Sequence, residues 1–350
     1  LNAALHATGG VFVIYLLRQF GAGLLPAAAA ASLWIAFPSS LQWVTQISKD
    51  VFFFAGMLGA LLGWTMMLHN LKPGTGNARI YCGAGLLICG TIIAGVVRQY
   101  AFQLLLLPAC AFALIVILQL VRNARNSPSA VWHNIAVTAI ALMVPIALVA
   151  APRDTRIESM PSPEITNAVG ALNSKFTTWH NWQSTAALPA PIDHAFARIA
   201  IARGAYVSET YKFAGSMIDL DRQLYSAADV MAYLPRALQI GLLAPFPSTW
   251  FTHGASPGGS AMRYMASIEM LILYPLLLIG CPLAALRWRR NVEFWFALGT
   301  CIYLIAAYAI VTPNLGSLYR MRYGYLMTLA AVGCAAILIQ LQERSGHATP

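Results

Sequence analysis

Charge is scarce in this sequence. Asp, Glu, Lys and Arg make up 10% of its 350 residues, against about 25% in a soluble domain. With 59% hydrophobic residues and a mean hydropathy of +0.64, that deficit excludes an ordinary water-facing globule. It fits a chain that crosses a bilayer several times. Acidic residues are scarcer than basic ones, 12 against 22, which leaves a net charge of +10. No run of Lys and Arg interleaves with aromatics in a nucleic-acid-binding pattern. The basic surplus therefore points to membrane lipids and phosphate-bearing lipid substrates, not to nucleic acid.

Several motifs are missing as well. There is no Walker A loop, no HExxH, no GxSxG, no CxxC and no haem-type pair of histidines within one span, which argues against nucleotide-driven transport and zinc proteolysis. The six cysteines all lie within apolar runs. Cys82 and Cys89 lack the spacing of a zinc or redox pair, so buried small hydrophobes are the expected role. No signal peptide is recognisable, and the chain opens on Leu1. A processed N-terminus, or further spans ahead of it, is the expectation.

What the sequence does hold is long apolar runs. About nine are helix-sized: roughly 2–17, 22–38, 51–69, 80–97, 101–121, 132–151, 264–286, 292–312 and 323–341. Only helices and closed barrels satisfy their backbone groups in lipid, and runs this continuous are helices. The expected fold is an all-α polytopic membrane protein. It has an N-terminal bundle over 1–151, a polar segment over 152–260 and a C-terminal bundle over 261–350. "DHAFARIAIARGAYV" and "SPEITNAVGALNSKF" have helical periodicity, whereas "APFPSTWFTHGASPGG" reads as turns with interfacial aromatics. The polar segment is expected to be a small, mostly helical extramembrane domain between the sixth and seventh spans.

If loops alternate sides, one set carries nine basic residues, Arg18, Lys72, Arg79, Arg122, Arg125, Arg287, Arg289, Arg290 and Arg344. The other short loops carry four, Lys49, Arg98, Arg320 and Arg322. The positive-inside rule places the first set in the cytoplasm and the 152–260 domain outside. The four remaining cations then lie on the side where positive charge is disfavoured. Such residues at membrane depth are candidates for function. Arginine forks suit phosphate and pyrophosphate, although snorkelling to head groups explains a single arginine equally well. Asp50 reads either as a helix N-cap or salt-bridge partner, or as a base that orients an arginine or deprotonates a hydroxyl. Glu269 is the clearest carboxylate inside an apolar run, and an arginine is its expected partner. In the polar segment the candidates are Arg203, Arg236, Asp219, Asp221 and His180, the last between Trp179 and Trp182 where a sugar could stack. "DLD" with no nearby His or third carboxylate is a weak metal signal, and no metal is expected.

"FPSSLQWVTQISKDVFFFAG", "VVRQY", "AYLPRALQIGLLAPFPSTWF" and "LGSLYRMRYGYLM" together resemble bacterial polytopic proteins of surface-polysaccharide assembly. These are the O-antigen and exopolysaccharide polymerases, with the related O-antigen ligases and membrane glycosyltransferases. The likeness runs in short patches from residue 38 to about 325. It implies an enzyme of the bacterial inner membrane that takes a saccharide from undecaprenyl pyrophosphate without cofactor or metal, alongside partner proteins of polysaccharide assembly. Carried over, Arg98, Arg320 and Arg322 would hold the pyrophosphate and Asp50 would act on the acceptor hydroxyl. Lys49 would help neutralise phosphate, and Arg203 and Arg236 would help close the site. A ligase-like histidine is not clearly present; His253 is the nearest candidate. Three other readings stand beside this one. They are a transferase using polyprenyl-monophosphate sugars, a lipid or polysaccharide transporter with helices broken at Pro145, Pro275 and Pro282, and a non-catalytic subunit of a membrane complex.

Overall fold

The computed structural model describes residues 1–45, 49–70, 78–123, 139, 182–207, 216–253 and 257–346. Their regular structure is helical, apart from two isolated bridges that join Gln183 to Ser226 and Met217 to Asn314. Among the described residues six helices are long and apolar enough to cross a membrane, so the chain has the build of a multi-pass membrane protein. They are α4 (Asp50–Asn70), α5 (Ala78–Val97), α6 (Ala101–Asn123), the continuous run of α9 (Pro257–Pro275) through α10 (Cys281–Arg287), α11 (Val292–Val311) and α12 (Leu315–Arg344).

The first two expected runs and the sixth fare differently. α1 (Asn2–Phe20) forms, but Asn2, His6, Arg18 and Gln19 leave it less apolar than the six. The second expected run, 22–38, breaks into α2 (Leu24–Ala36) and the short α3 (Pro38–Thr45). Pro38 bars Phe37 from the helical region, and Phe37 is extended at φ −66°, ψ 130°. Thirteen helical residues reach only about 20 Å, short of a hydrocarbon core of about 30 Å. The third run, by contrast, is the uninterrupted α4. The run at 132–151 lies outside the described residues, Ala139 apart.

Two compact units emerge. The first comprises Leu1–Ala150, Tyr264–Leu304 and Met321–Pro350; the second comprises Ala151–Arg263 and Ile305–Arg320. Residues 305–320, expected within one C-terminal bundle, therefore group with the polar segment.

In the first unit α4 is the central helix, with 89% of its span buried. Trp64, Phe112 and Phe296 form an aromatic cluster around it. α4 and α5 meet on glycine. A Cβ on Gly63 would fall 2.5 Å from the Gly83 carbonyl oxygen, and one on Gly90 would fall 2.5 Å from that of Gly56. Small residues thus let the two backbones touch, as in close-packed membrane helices. Leu276–Gly280 winds as a π-helix directly after Pro275, which cannot donate the regular helical bond. The cysteines correct one expectation: Cys301 is buried, but Cys82, Cys89 and Cys110 are exposed. They lie on the outward faces of α5 and α6, whose spans are only 39% buried.

The second unit holds α7 (Ala190–Val207) and α8 (Ala227–Leu243). α8 begins with a capping box in which Ser226 and Asp229 satisfy each other's backbone N–H groups. A 3-10 turn, Pro247–Thr249, follows it, where the sequence reads as turns. The Ile218 amide donates to Pro313 O, and the Leu315 amide donates to Ser216 O, at 2.9 Å each.

Candidate functional site

In the first unit the two charges that interrupt the apolar pattern most abruptly meet. Asp50 opens α4, where a carboxylate also suits the positive end of the helix dipole. Arg98 stands in the three-residue turn between α5 and α6. That turn is closed by Phe102, whose ring lies so near Gly95 that a Cβ there would come within 1.8 Å of it. Arg98 Nη2 donates to Asp50 Oδ1 and Nη1 donates to the Tyr100 hydroxyl. The guanidinium carbon lies 5.3 Å from the Phe53 ring centroid and 5.8 Å from that of Tyr100, within cation–π range. Asp50 is only 4% exposed. A carboxylate so buried keeps its charge only with a partner of this kind. Lys49, just ahead of it, is exposed, and its carbonyl accepts the Phe53 amide.

Asp50 also lines a cleft with about 20 Å³ of free space, walled by Leu5, His6, Trp34, Ser40, Val51, Phe54 and Tyr323. That is room for one water or hydroxyl group. Ser40 Oγ donates to Phe37 O at 2.6 Å, and Tyr323 OH donates to Trp34 O at 3.0 Å. Beside this cleft, Glu269 is 2% exposed and accepts the Ser39 amide at 2.6 Å. Glu269 Oε1 takes an otherwise orphaned N–H at the start of α3. Its neighbour Met270 receives Arg322, whose Nη2 is 4.0 Å from Met270 Sδ and whose side chain is 1% exposed.

Arg320 and Arg322 are two residues apart on α12 and so leave it on different faces. Arg320 belongs to the second unit and Arg322 to the first.

In the second unit Arg203 is a clamp. Buried at 2% exposure, it donates to the carbonyls of Arg222, Ile310 and Asp219 and stacks 4.5 Å from the Tyr233 ring centroid. Arg236 grips Asp219 with Nε and Nη2 at 2.9 and 3.1 Å, and Tyr233 OH adds a third bond at 3.1 Å. Burial pushes the Asp219 carboxyl up, but the Arg236 hydrogen bond and charge and the Tyr233 bond outweigh it and hold it below the usual range. Asp221 is 80% exposed on its side chain and pairs loosely with Arg222 at 3.7 Å, so the two aspartates of "DLD" do not converge. Among the described residues no three His, Cys, Asp or Glu side chains gather as a metal site. His180 lies outside the described residues. His253 is exposed, and its carbonyl accepts from Arg263 at 3.0 Å.

Three features escape sequence reasoning. Asp193 accepts the Thr185 amide, the Trp182 indole and the Ser184 hydroxyl, an arrangement no local pattern announces. His69 Nδ1 lies 3.0 Å from Glu293 Oε1, across a gap of 224 positions. His6 enters the cleft through α1, and its one signal in the sequence is a polar ring within an apolar run. No family model matches the chain, and comparison with curated proteins and with solved structures likewise finds no match.

Proposed function

We propose that the protein is a membrane glycosyltransferase of the polysaccharide-polymerase kind, moving a saccharide from polyprenyl pyrophosphate to an acceptor hydroxyl. The observation that carries this reading is the buried Asp50–Arg98 pair beside a hydroxyl-sized cleft in the first unit. In the proposal the chain lies in the bacterial inner membrane with the ends of α4 and α5 that bear the pair facing outward. The polar segment 152–260 lies on that same outer side.

The packing within the first unit supports that sidedness. Asn291 meets Gln19, His69 meets Glu293, and Arg287 grips Glu343 with both nitrogens at 3.1 and 2.5 Å. The turns carrying Arg18, Arg287, Arg289 and Arg290 thus gather at one end, and the Asp50–Arg98 pair is at the opposite ends of α4 and α5. The basic-rich end is the cytoplasmic one by the positive-inside rule.

In the reaction the acceptor oxygen forms a bond to the anomeric carbon as the bond to the pyrophosphate oxygen breaks. The electron pair departs with the lipid pyrophosphate. Negative charge grows on that leaving group, and a cation fixed in a low-dielectric site stabilises it more in the transition state than in the ground state. Arg98, already oriented by Asp50, Tyr100 and Phe53, is the cation in this role. Arg322, Lys49 and Glu269 shape the surroundings from the same unit. Arg203 and Arg236 serve the second unit's own fold.

Arg98→Ala alone strands a buried carboxylate, which costs about 3–5 kcal/mol, so the test uses a charge-neutral pair. In cells lacking their own copy, Asp50→Asn/Arg98→Gln is expected to be present at normal abundance yet to cut polymer growth by about a hundredfold or more. Normal polymer length in that double variant would remove Arg98 from the reaction. One observation favours transport as a second reading: the π-helical break after Pro275 in a long span. Movement of lipid-linked saccharide across vesicles, with no change in its length, is the result that reading requires.

A further inference from the structure

In the second unit α8 is apolar on two sides. Its inner stripe, Ala227, Val230, Tyr233, Ala237 and Ile240, is buried. The opposite stripe, Ala228, Met231, Ala232, Pro235 and Gln239, is exposed, Met231 at 54%. A surface helix of a water-soluble domain carries charged and polar residues on its outer face. Here that face holds one glutamine and no charge. The two charges on α8 are engaged elsewhere, Asp229 in the capping box and Arg236 on Asp219.

The packing of α8 on α11 fixes its level. A Cβ on Gly241 would fall 2.6 Å from Ile305 Cγ2 and 3.2 Å from Ala309 Cβ, so the two helices touch directly. Tyr233 reaches the same helix through Arg203, which stacks on its ring and donates to Ile310 O. All of these residues belong to the second unit. Ile305, Ala309 and Ile310 lie in a helix of membrane-crossing length that ends at Val311, about 9, 3 and 1.5 Å inside that end. Two points about 12 Å apart along α8 thus sit at similar levels on α11, and α8 runs across the end of the span. This is the depth of an amphipathic helix lying in the membrane interface, whose apolar face enters by about 5–10 Å. The turn that follows adds Phe251, 81% exposed. Its next two residues are pinned by Arg263 of α9, whose Nη1 donates to Thr252 Oγ1 at 2.6 Å and His253 O at 3.0 Å. α9 in turn opens a membrane-length run.

We propose that α8 lies in the membrane interface, with Met231, Ala232 and Pro235 seated at the boundary of head groups and acyl chains. Phe251 anchors the turn that leads into α9. The partner of this face is the bilayer itself, and contact with acyl chains replaces the charge that a water-facing helix would carry. Part of the segment expected outside the membrane is thereby a lipid-facing element. The inference needs only that α11 crosses the bilayer, and it goes beyond the glycosyl-transfer reading without depending on it.

The test is photo-crosslinking of the full chain in nanodiscs of phosphatidylethanolamine and phosphatidylglycerol. Met231→p-benzoylphenylalanine places a photoreactive ketone on the exposed stripe, and Phe251→p-benzoylphenylalanine places one on the turn. After irradiation, mass spectrometry of the peptides that carry the probe reads what each position touches. The expected result is a covalent phospholipid adduct at both positions. Ala232→p-benzoylphenylalanine carries the test on α8 where the Met231 variant fails to fold. A folded α8 variant whose probe joins only a second copy of the chain, or another protein, overturns the proposal and makes the stripe a protein interface. A folded α8 variant that forms no adduct at all overturns it as well, since the stripe then faces water.

Discussion

Asp219 shows how a single carboxylate fixes a local fold. It sits at φ +51°, accepts Arg236 and Tyr233 on its side chain, and offers its carbonyl to Arg203. Its pKa is lowered on folding, and so is that of Asp193, chiefly through the Thr185 amide and the Trp182 indole. A carboxylate whose folded pKa lies below its unfolded value contributes stability above the unfolded pKa. That stability is lost as pH falls through the folded one. The second unit is therefore expected to melt at progressively lower temperature below about pH 4, and Asp219→Asn is expected to melt lower than wild type at about pH 6 while losing less on acidification. Equal acid slopes for the two proteins in detergent melts would contradict this. Of these residues the sequence singles out Asp219 and Arg236 by type alone. It cannot pair them, because 17 positions and a helix start lie between them. Asp50 and Arg98 are more legible, since charges that abut apolar runs must find partners. The Glu269–Ser39 bond is not, because a backbone amide carries no residue signature.

Among the elements, α4 was the plainest in sequence: an unbroken apolar run that begins after charge and ends near polar residues. It is also the helix that organises the first unit. Its seam with α5 rests on glycines at positions where a side chain has no space. Gly63→Val is expected to cost at least the 1–3 kcal/mol typical of overpacking, because the obstacle is the Gly83 backbone and cannot rotate away. Gly85→Ala, with nothing within 4 Å of its Cβ, is expected to be neutral or up to about 1 kcal/mol more stable. Comparable melting of Gly63→Val and wild type would show that the helices do not touch there. The run at 22–38 misleads because hydropathy does not register that Pro38 ends a helix one residue before itself. The π-helical turn after Pro275 is similar: the proline is visible in sequence, but whether the helix kinks, breaks or widens depends on what packs against it.

For the whole molecule, composition alone gives a helical membrane chain, because a sequence this poor in charge has few other ways to satisfy its backbone. The grouping of residues 305–320 with the polar segment was hidden, since two continuous helices run through the boundary and hydropathy sees only their length. What the protein acts on is the larger claim, and it rests on a phosphate-bearing lipid meeting Arg98. The measurement to make is mass spectrometry of the lipids that co-purify with gently extracted wild-type protein and with the Asp50→Asn/Arg98→Gln variant. Polyprenyl pyrophosphate, bare or carrying saccharide, is expected with wild type and absent from the variant. Bulk phospholipid alone from both proteins, with polymer growth intact in the variant, would make the Asp50–Arg98 pair a structural tie between α4 and the α5–α6 turn.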